Sequence, residues 1–292
     1  MSVRSAGRWG LVAQFPAPLI ARFARNKLAV GGLLVVALFL LFCFVGPTLH
    51  STDQIHTDLT QVNLHPSGAH WLGTDAVGHD ELGRLMYGGK VSLLVGLAAG
   101  VLATVIGTLW GSVAGYAGGW VDAVMMRVVD AGIAIPALFI LLVVSAITTP
   151  GVPGLILILG LVSWLVPSRL VRAETLTLKS RDYVLTLRAI GGSHSRAITR
   201  HILPNSVSTI VVAATFQVAD AILLVAYVSY LGLGVQPPST DWGGMLSAGL
   251  TAAYSGRWWL IVPPGLAIIL VVCAFNAVGD GLRDAFDVRG RG

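Results

Sequence analysis

Charge is scarce in this chain of 292 residues. Lys and Arg number 19 and Asp and Glu 14, together 11% of the sequence, against roughly 25% in an average soluble domain. So few charged groups cannot cover the surface of a soluble fold of this length, which excludes a disordered chain and an ordinary cytosolic enzyme. Cysteine is nearly absent too. Cys43 and Cys273 are the only two, and both sit inside apolar blocks, where they read as small hydrophobes and exclude a disulfide scaffold. The net charge of +5 is too small for a nucleic-acid binder. Catalytic signatures are missing as well: there is no H-E-x-x-H, no G-x-S-x-G and no Cys/His cluster with zinc spacing. Gly88-Gly89-Lys90 superficially resembles a phosphate loop. Position 84 is Arg rather than the required Gly, and Val91 replaces the Ser/Thr, so the chain is not expected to bind ATP itself.

What is present is apolar sequence in blocks of about the ~20 residues that cross a bilayer. Six blocks qualify, which predicts an all-α polytopic membrane bundle. They run from Leu28 to Val45, Val91 to Ala114, Val128 to Ile147, Val152 to Val166, Val207 to Leu233 and Trp258 to Val278. The first is too long for a signal-peptide core and lacks a small-x-small site after it, so it reads as an anchored span. Sidedness follows from Arg and Lys. With the N-terminus in the cytoplasm, 16 basic residues fall inside and only Arg84, Lys90 and Arg257 outside. Both termini are then cytoplasmic.

The expected organisation is a cytoplasmic segment 1–27, a first span 28–46, an outer loop 47–90, a region of five spans 91–282 and a tail 283–292. The outer loop holds His50, His56, His65, His70 and His79, whose irregular spacing reads as solvated loop rather than metal site. No internal repeat is visible, and no segment is large enough to form a separate soluble domain. Any energy-coupling or ligand-recognition domain is therefore expected on another chain.

Gly107, Gly111, Gly115 and Gly119 recur every four residues, preceded by Gly96 and Gly100. On a helix this makes a ridge that a neighbouring backbone approaches closely. Asp130 and Asp220 lie at membrane depth, where a charge costs at least about 2.5–3.5 kcal/mol. Asp220 should therefore face the protein interior or a watery cavity, or else be protonated. It reads either as a pathway residue or as a hydrogen-bond partner of another helix, whereas Asp130 can reach the interface and Arg127. With Gln217, these two acids form the set of translocation-pathway candidates.

The inner loop 168–205 carries seven basic residues and a short amphipathic piece, Asp182 to Ile190, stopped by Gly191-Gly192. A helix this short is marginal in water. Tyr183, Leu185, Leu187 and Ile190 have no use in a solvated loop, so a docking partner is expected; the alternative is that they lie on the membrane interface.

Here the sequence resembles a known family. The Gly191 to Leu203-Pro204 spacing is similar to the cytoplasmic EAA loop of permease subunits in binding-protein-dependent ABC importers. Further strings narrow the resemblance to the C-type subunit of the oligopeptide/dipeptide branch. They are Leu72-Gly73-Thr74-Asp75, Arg84-Leu85-Met86-Tyr87-Gly88, Gly115-Tyr116-Ala117-Gly118-Gly119-Trp120, Asp182-Tyr183-Val184, Arg200-His201-Ile202-Leu203-Pro204-Asn205, Leu231-Gly232-Leu233-Gly234-Val235-Gln236-Pro237-Pro238 and Gly279-Asp280-Gly281-Leu282-Arg283-Asp284. Departures exist. Leu185-Thr186-Leu187 stands where the family often has Glu-Ala-Ala, His79 where it often has Arg, Val225 where it often has Glu, and Asp287-Val288-Arg289 where it has Asp-Pro-Arg.

The resemblance implies a type I ABC importer permease fold with a shared five-helix core from Val91. It implies peptide uptake across the bacterial cytoplasmic (inner) membrane, with nickel, glutathione or another small solute as the alternative cargo. The implied partners are a homologous second permease, ABC ATPase subunits that carry the ATP and Mg2+, and an extracytoplasmic peptide-binding protein, all around a lipid bilayer. This chain itself would hold no cofactor. The implied ATPase-coupling residues are Asp182, Tyr183, Leu187, Arg188, Ala189, Gly191 and Gly192. An ion-gradient transporter using Asp220 is the reading from another class; it would favour internal repeats or paired broken helices.

Overall fold

A computed structural model describes residues 17–286. The expectations resting on Arg4, Arg8, Asp287, Val288, Arg289 and Arg291 lie outside the described residues. Among those described, the structure is helical. In chain order the main helices are α1 (Ala17–Arg25), α2 (Lys27–Phe44), α3 (Glu81–Ala117), α4 (Gly119–Ile133), α5 (Ala137–Thr148), α6 (Val152–Ser163), α7 (Leu165–Lys179), α8 (Asp182–Ala189), α9 (Val207–Tyr230), α10 (Trp242–Ala253) and α11 (Val262–Phe286).

Four helical segments are long and apolar enough to span alone: α2, α3, α9 and Trp258–Phe286, which contains α11. Two bent pairs, α4 with α5 at 74° and α6 with α7 at 45°, bring the number to six when each pair is taken as one span. The third and fourth spans are thus each broken, where the sequence predicted simple blocks. The third breaks at Ala134 to Pro136 because Pro136 has no N–H to give to Gly132; the Gly132 carbonyl accepts from Ile135 instead.

The second span also differs. It begins ten residues before Val91, at Glu81, because the Asp80 side chain caps the helix by accepting from the Gly83 amide at 2.8 Å. At 1.5 Å per residue the 37 residues of α3 run about 55 Å, well beyond a ~30 Å hydrocarbon core. The first turns of α3 therefore stand outside the membrane and anchor the outer loop. His70 Nδ1 lies 2.9 Å and His50 Nε2 3.4 Å from the Asp80 carboxylate. His79 and Arg84 approach Asp75 at 3.2 and 3.3 Å. Four of these loop histidines pair with carboxylates, His56 with Asp53 being the fourth, so the loop is an ordered cap rather than a solvated tether.

The glycine ridge does what its spacing predicts, on two partners. A Cβ on Gly107, Gly111 or Gly115 would lie 2.3–2.9 Å from backbone atoms of α7 or the Trp164 carbonyl before it, and one on Gly100 would lie 2.9 Å from the Val218 backbone of α9. Helix α3 is thus the axial post, with α7 and α9 against it at backbone distance. Gly119 drops out of the ridge. The helix ends at Ala117, Gly118 and Gly119 adopt positive φ, and a Cβ on Gly119 meets nothing within 4 Å.

Helix α10 is pinned against the N-terminal turns of α3. Trp242 is fully buried, its indole N–H donating to the Leu85 carbonyl and its backbone N–H to Ser92. Asp241 caps α10 through the Gly244 amide and accepts from the Ser229 hydroxyl. Burial pushes the Asp241 carboxyl above the usual carboxylate range, against the lowering effect of these hydrogen bonds.

Candidate functional site

Helix α8 sits at the foot of α7, entered through Arg181 and closed by a glycine stop. The Gly192 amide donates to the Leu187 carbonyl at 2.8 Å and Gly191 has φ +79°, a left-handed termination that glycine adopts without a Cβ penalty. One side of α8 is sealed to its own chain. Val184 is fully buried in a small cluster with Tyr116, Leu178, Ala197 and Ile202. Tyr116 belongs to the last turn of α3, so α8 is attached to the foot of the axial post as well as to α7.

The other side is open. Tyr183 is 41% exposed, Leu185 48% and Ile190 76%. Asp182, Arg188, Ala189 and Gly191 are exposed beside them. Leu187 departs from the predicted apolar face: it packs inward with Ile198 against the Val184 cluster and over Gly192. At 100° per residue Leu187 lies between Tyr183 and Val184 around the helix, so its side chain can turn to the Val184 cluster while Tyr183 and Ile190 stay exposed. The ring of Tyr183 lies 6.0 Å from that of His201, which ties the open face to the return segment. In that segment Ile198–Ile202 forms a π-helical turn ahead of Pro204.

Force applied at α8 has a stiff path inward. Arg172 on α7 grips Asp122 on α4 with two parallel hydrogen bonds of 2.5 and 2.6 Å. One turn earlier, Arg169 on α7 pairs with Asp130 on α4 at 2.5 Å. Asp130 is therefore neither partnered by Arg127 nor brought into the pathway set; it belongs to a second α4–α7 tie.

Gln217 and Asp220 do come together. Both line a cleft of about 380 Å³ between the break in the third span, the α6–α7 bend and α9. Asp220 is exposed into it, while Gln217 is buried at its wall. Ser163, at the α6–α7 bend, also lines the cleft and its buried hydroxyl has no hydrogen-bond partner. Sequence reasoning missed Tyr227, which shares the cleft and is 51% exposed. Its signal was the spacing: Phe216, Asp220, Leu223, Tyr227 and Tyr230 recur at 4, 3, 4 and 3 residues, one face of α9. A carboxylate on one face with two exposed tyrosines does not suit lipid at mid-membrane, so this face belongs to water or to protein.

Comparison with known proteins agrees with this architecture. Residues 107–292 match the family described as binding-protein-dependent transport system inner membrane component. Residues 19–66 match the N-terminal TM domain of oligopeptide transport permease C. The chain is 40% identical over 272 residues to the oligopeptide transport system permease protein OppC of Escherichia coli, covering 92% of this chain and 90% of that one. It is 37% identical over 266 residues to the dipeptide transport system permease protein DppC of Bacillus subtilis, covering 91% and 83%. It is 39% identical over 266 residues to OppC of the same organism, covering 91% and 87%.

Proposed function

Because this chain belongs to the family of inner membrane components of binding-protein-dependent transport systems, we infer its function from how that family's work maps onto the geometry above. It is an integral membrane permease subunit of an ABC importer for peptides, a reading supported by its relatives OppC and DppC, permease proteins of oligopeptide and dipeptide transport systems. Its place is the bacterial cytoplasmic membrane, with both termini in the cytoplasm, a sidedness supported by the 16 to 3 distribution of basic residues. A homologous second permease faces it across the pathway. ATPase subunits hold the ATP and Mg2+, and an extracytoplasmic protein delivers the peptide.

The observation that carries the coupling part of this reading is the two-sidedness of α8. Val184 seals it to the body, while Tyr183, Leu185 and Ile190 stay exposed. A short helix with one anchored face is a rigid plug for a cleft on an ATPase subunit. When the ATPase domains close, α8 moves, α7 moves with it, and the backbone-close α3–α7 contact and the two Asp–Arg ties pass the displacement to α3 and α4. Near Asp220 the bends in both broken spans give the displacement places to become rotation. Asp220 and Gln217 line the route on α9.

The test is reconstitution of the four kinds of subunit in proteoliposomes. ATP-dependent uptake of a short peptide, abolished when this chain is omitted, supports the reading. Uptake of Ni2+ or glutathione in place of any peptide would move the chain to another branch of the family.

A further inference from the structure

The Asp220 cleft has a definite charge and sits at a definite depth. Asp220 is the fourteenth of 24 residues in α9, about 20 Å along a helix of about 36 Å, so the cleft lies near the bilayer midplane. Among the described residues, those lining it include no Arg, Lys or His, and Asp220 is their one ionisable carboxylate. The carbonyl end of α4 and the amide end of α5 both meet it at the break between Ile133 and Ala137. Each helix end carries about half a charge, of opposite sign, so they largely cancel and Asp220 sets the sign of the site.

Lining the same cleft are residues that can accept hydrogen bonds: Gln217 through its amide oxygen, Tyr227, and Ser163, whose hydroxyl is buried without a partner among the described residues. Most of the remaining wall is aliphatic. The volume, about 380 Å³, is at the small end of the ~300–1,000 Å³ of ligand sites. It suits one end of a chain-like molecule rather than the whole of it.

We propose that this cleft receives the α-ammonium end of the peptide in transit, with Asp220 as its counter-ion and Gln217, Tyr227 and Ser163 taking the remaining N–H donors. An ammonium has three donors and no acceptor, and needs an ionised partner when it leaves water. The carboxylate end of a peptide meets like charge and no donor cation here, so the peptide is oriented amino end toward α9. The inference rests on the peptide-permease reading and adds to it the chemical group recognised within the membrane.

The experiment uses the complete reconstituted complex and a lysine-free alanine tripeptide with a free amino group. Uptake should fall about tenfold in Asp220→Asn and be largely retained in Asp220→Glu, while ATP hydrolysis stimulated by the loaded binding protein persists in both. In the wild type, trapped with ATP and vanadate, a water-soluble carbodiimide activates carboxylates. Attack by the peptide amine then forms an amide and releases the urea, and mass spectrometry should find the tripeptide on Asp220. Asp220→Asn transporting at the wild-type rate overturns the proposal. So does Asp220→Glu failing as badly as Asp220→Asn, which makes the position structural. A wild-type complex that imports no peptide at all instead removes the reading beneath it.

Discussion

Arg172 and Asp122, 50 residues apart in sequence, face each other through a bidentate pair that fastens α7 to α4. Two parallel hydrogen bonds fix orientation as well as distance, which a lysine at the same place does not do. The pair is where the segment leading to α8 is joined to the broken third span.

Removing one partner leaves a partly buried charge unpaired. Arg172→Ala should cost about 1–2 kcal/mol, between the values for exposed and buried pairs. Arg172→Lys should recover part of that but not the geometry. Thermal unfolding of the purified complex measures both, and the double variant Asp122→Asn/Arg172→Gln should be milder than Arg172→Ala.

The glycine ridge gives a graded prediction. A Cβ at Gly111 would lie 2.3 Å from the Ser168 carbonyl, so Gly111→Val forces α3 and α7 apart and should abolish uptake. Gly31→Ala meets nothing within 4 Å and should leave assembly and uptake unchanged, gaining at most about 1 kcal/mol of helix propensity. Membrane abundance and peptide uptake of the two variants distinguish a packing ridge from a composition bias.

Gly191 is a case of conformation without crowding. No atom lies within 4 Å of a Cβ built there, yet φ is +79°. Gly191→Val therefore strains the stop of α8 by roughly 1–2 kcal/mol without a clash. Gly191→Asn, which tolerates the left-handed region better, should be nearer to wild type. The measurable is uptake at fixed ATP hydrolysis, lower for Val than for Asn.

Asp241 supplies a pH dependence. Its carboxyl is raised by burial, so the folded chain binds the proton more tightly than the unfolded chain. Stability at α10 should be greatest at low pH and decline as pH rises from the ordinary carboxylate range, near pH 4, through the raised folded value. Asp241→Asn keeps a capping side chain and should flatten that slope. Hydrogen exchange of residues 242–253 as a function of pH is the check.

Much of the architecture was legible because membrane spans are written in composition. The apolar blocks required only local counting. The glycine spacing announced backbone contact but not with whom, since the partners at Ser168 and Val218 lie far along the chain. Pro136 was visible, but it sits in an apolar run where hydropathy does not fall, so the break in the third span was hidden by averaging. The extension of α3 to Glu81 was carried by the Asp80 cap, a local signal outweighed by the polar character of the loop. At the candidate site, α8 and its glycine stop were readable. That Leu187 turns inward with Val184 depends on the cluster around Tyr116, which is tertiary. Likewise Asp130 pairs with Arg169 across 39 residues, a distance at which no window of sequence chooses between Arg127 and Arg169.

The central claim is that ATP-driven motion enters this subunit through the open face of α8. Its most direct measurement is the number of peptides imported per ATP hydrolysed by the reconstituted complex carrying Tyr183→Asp, which places a charge on that face without touching the Val184 anchor. The account predicts that this ratio falls at least tenfold while the complex stays inserted and assembled. A ratio equal to that of the wild type would contradict it.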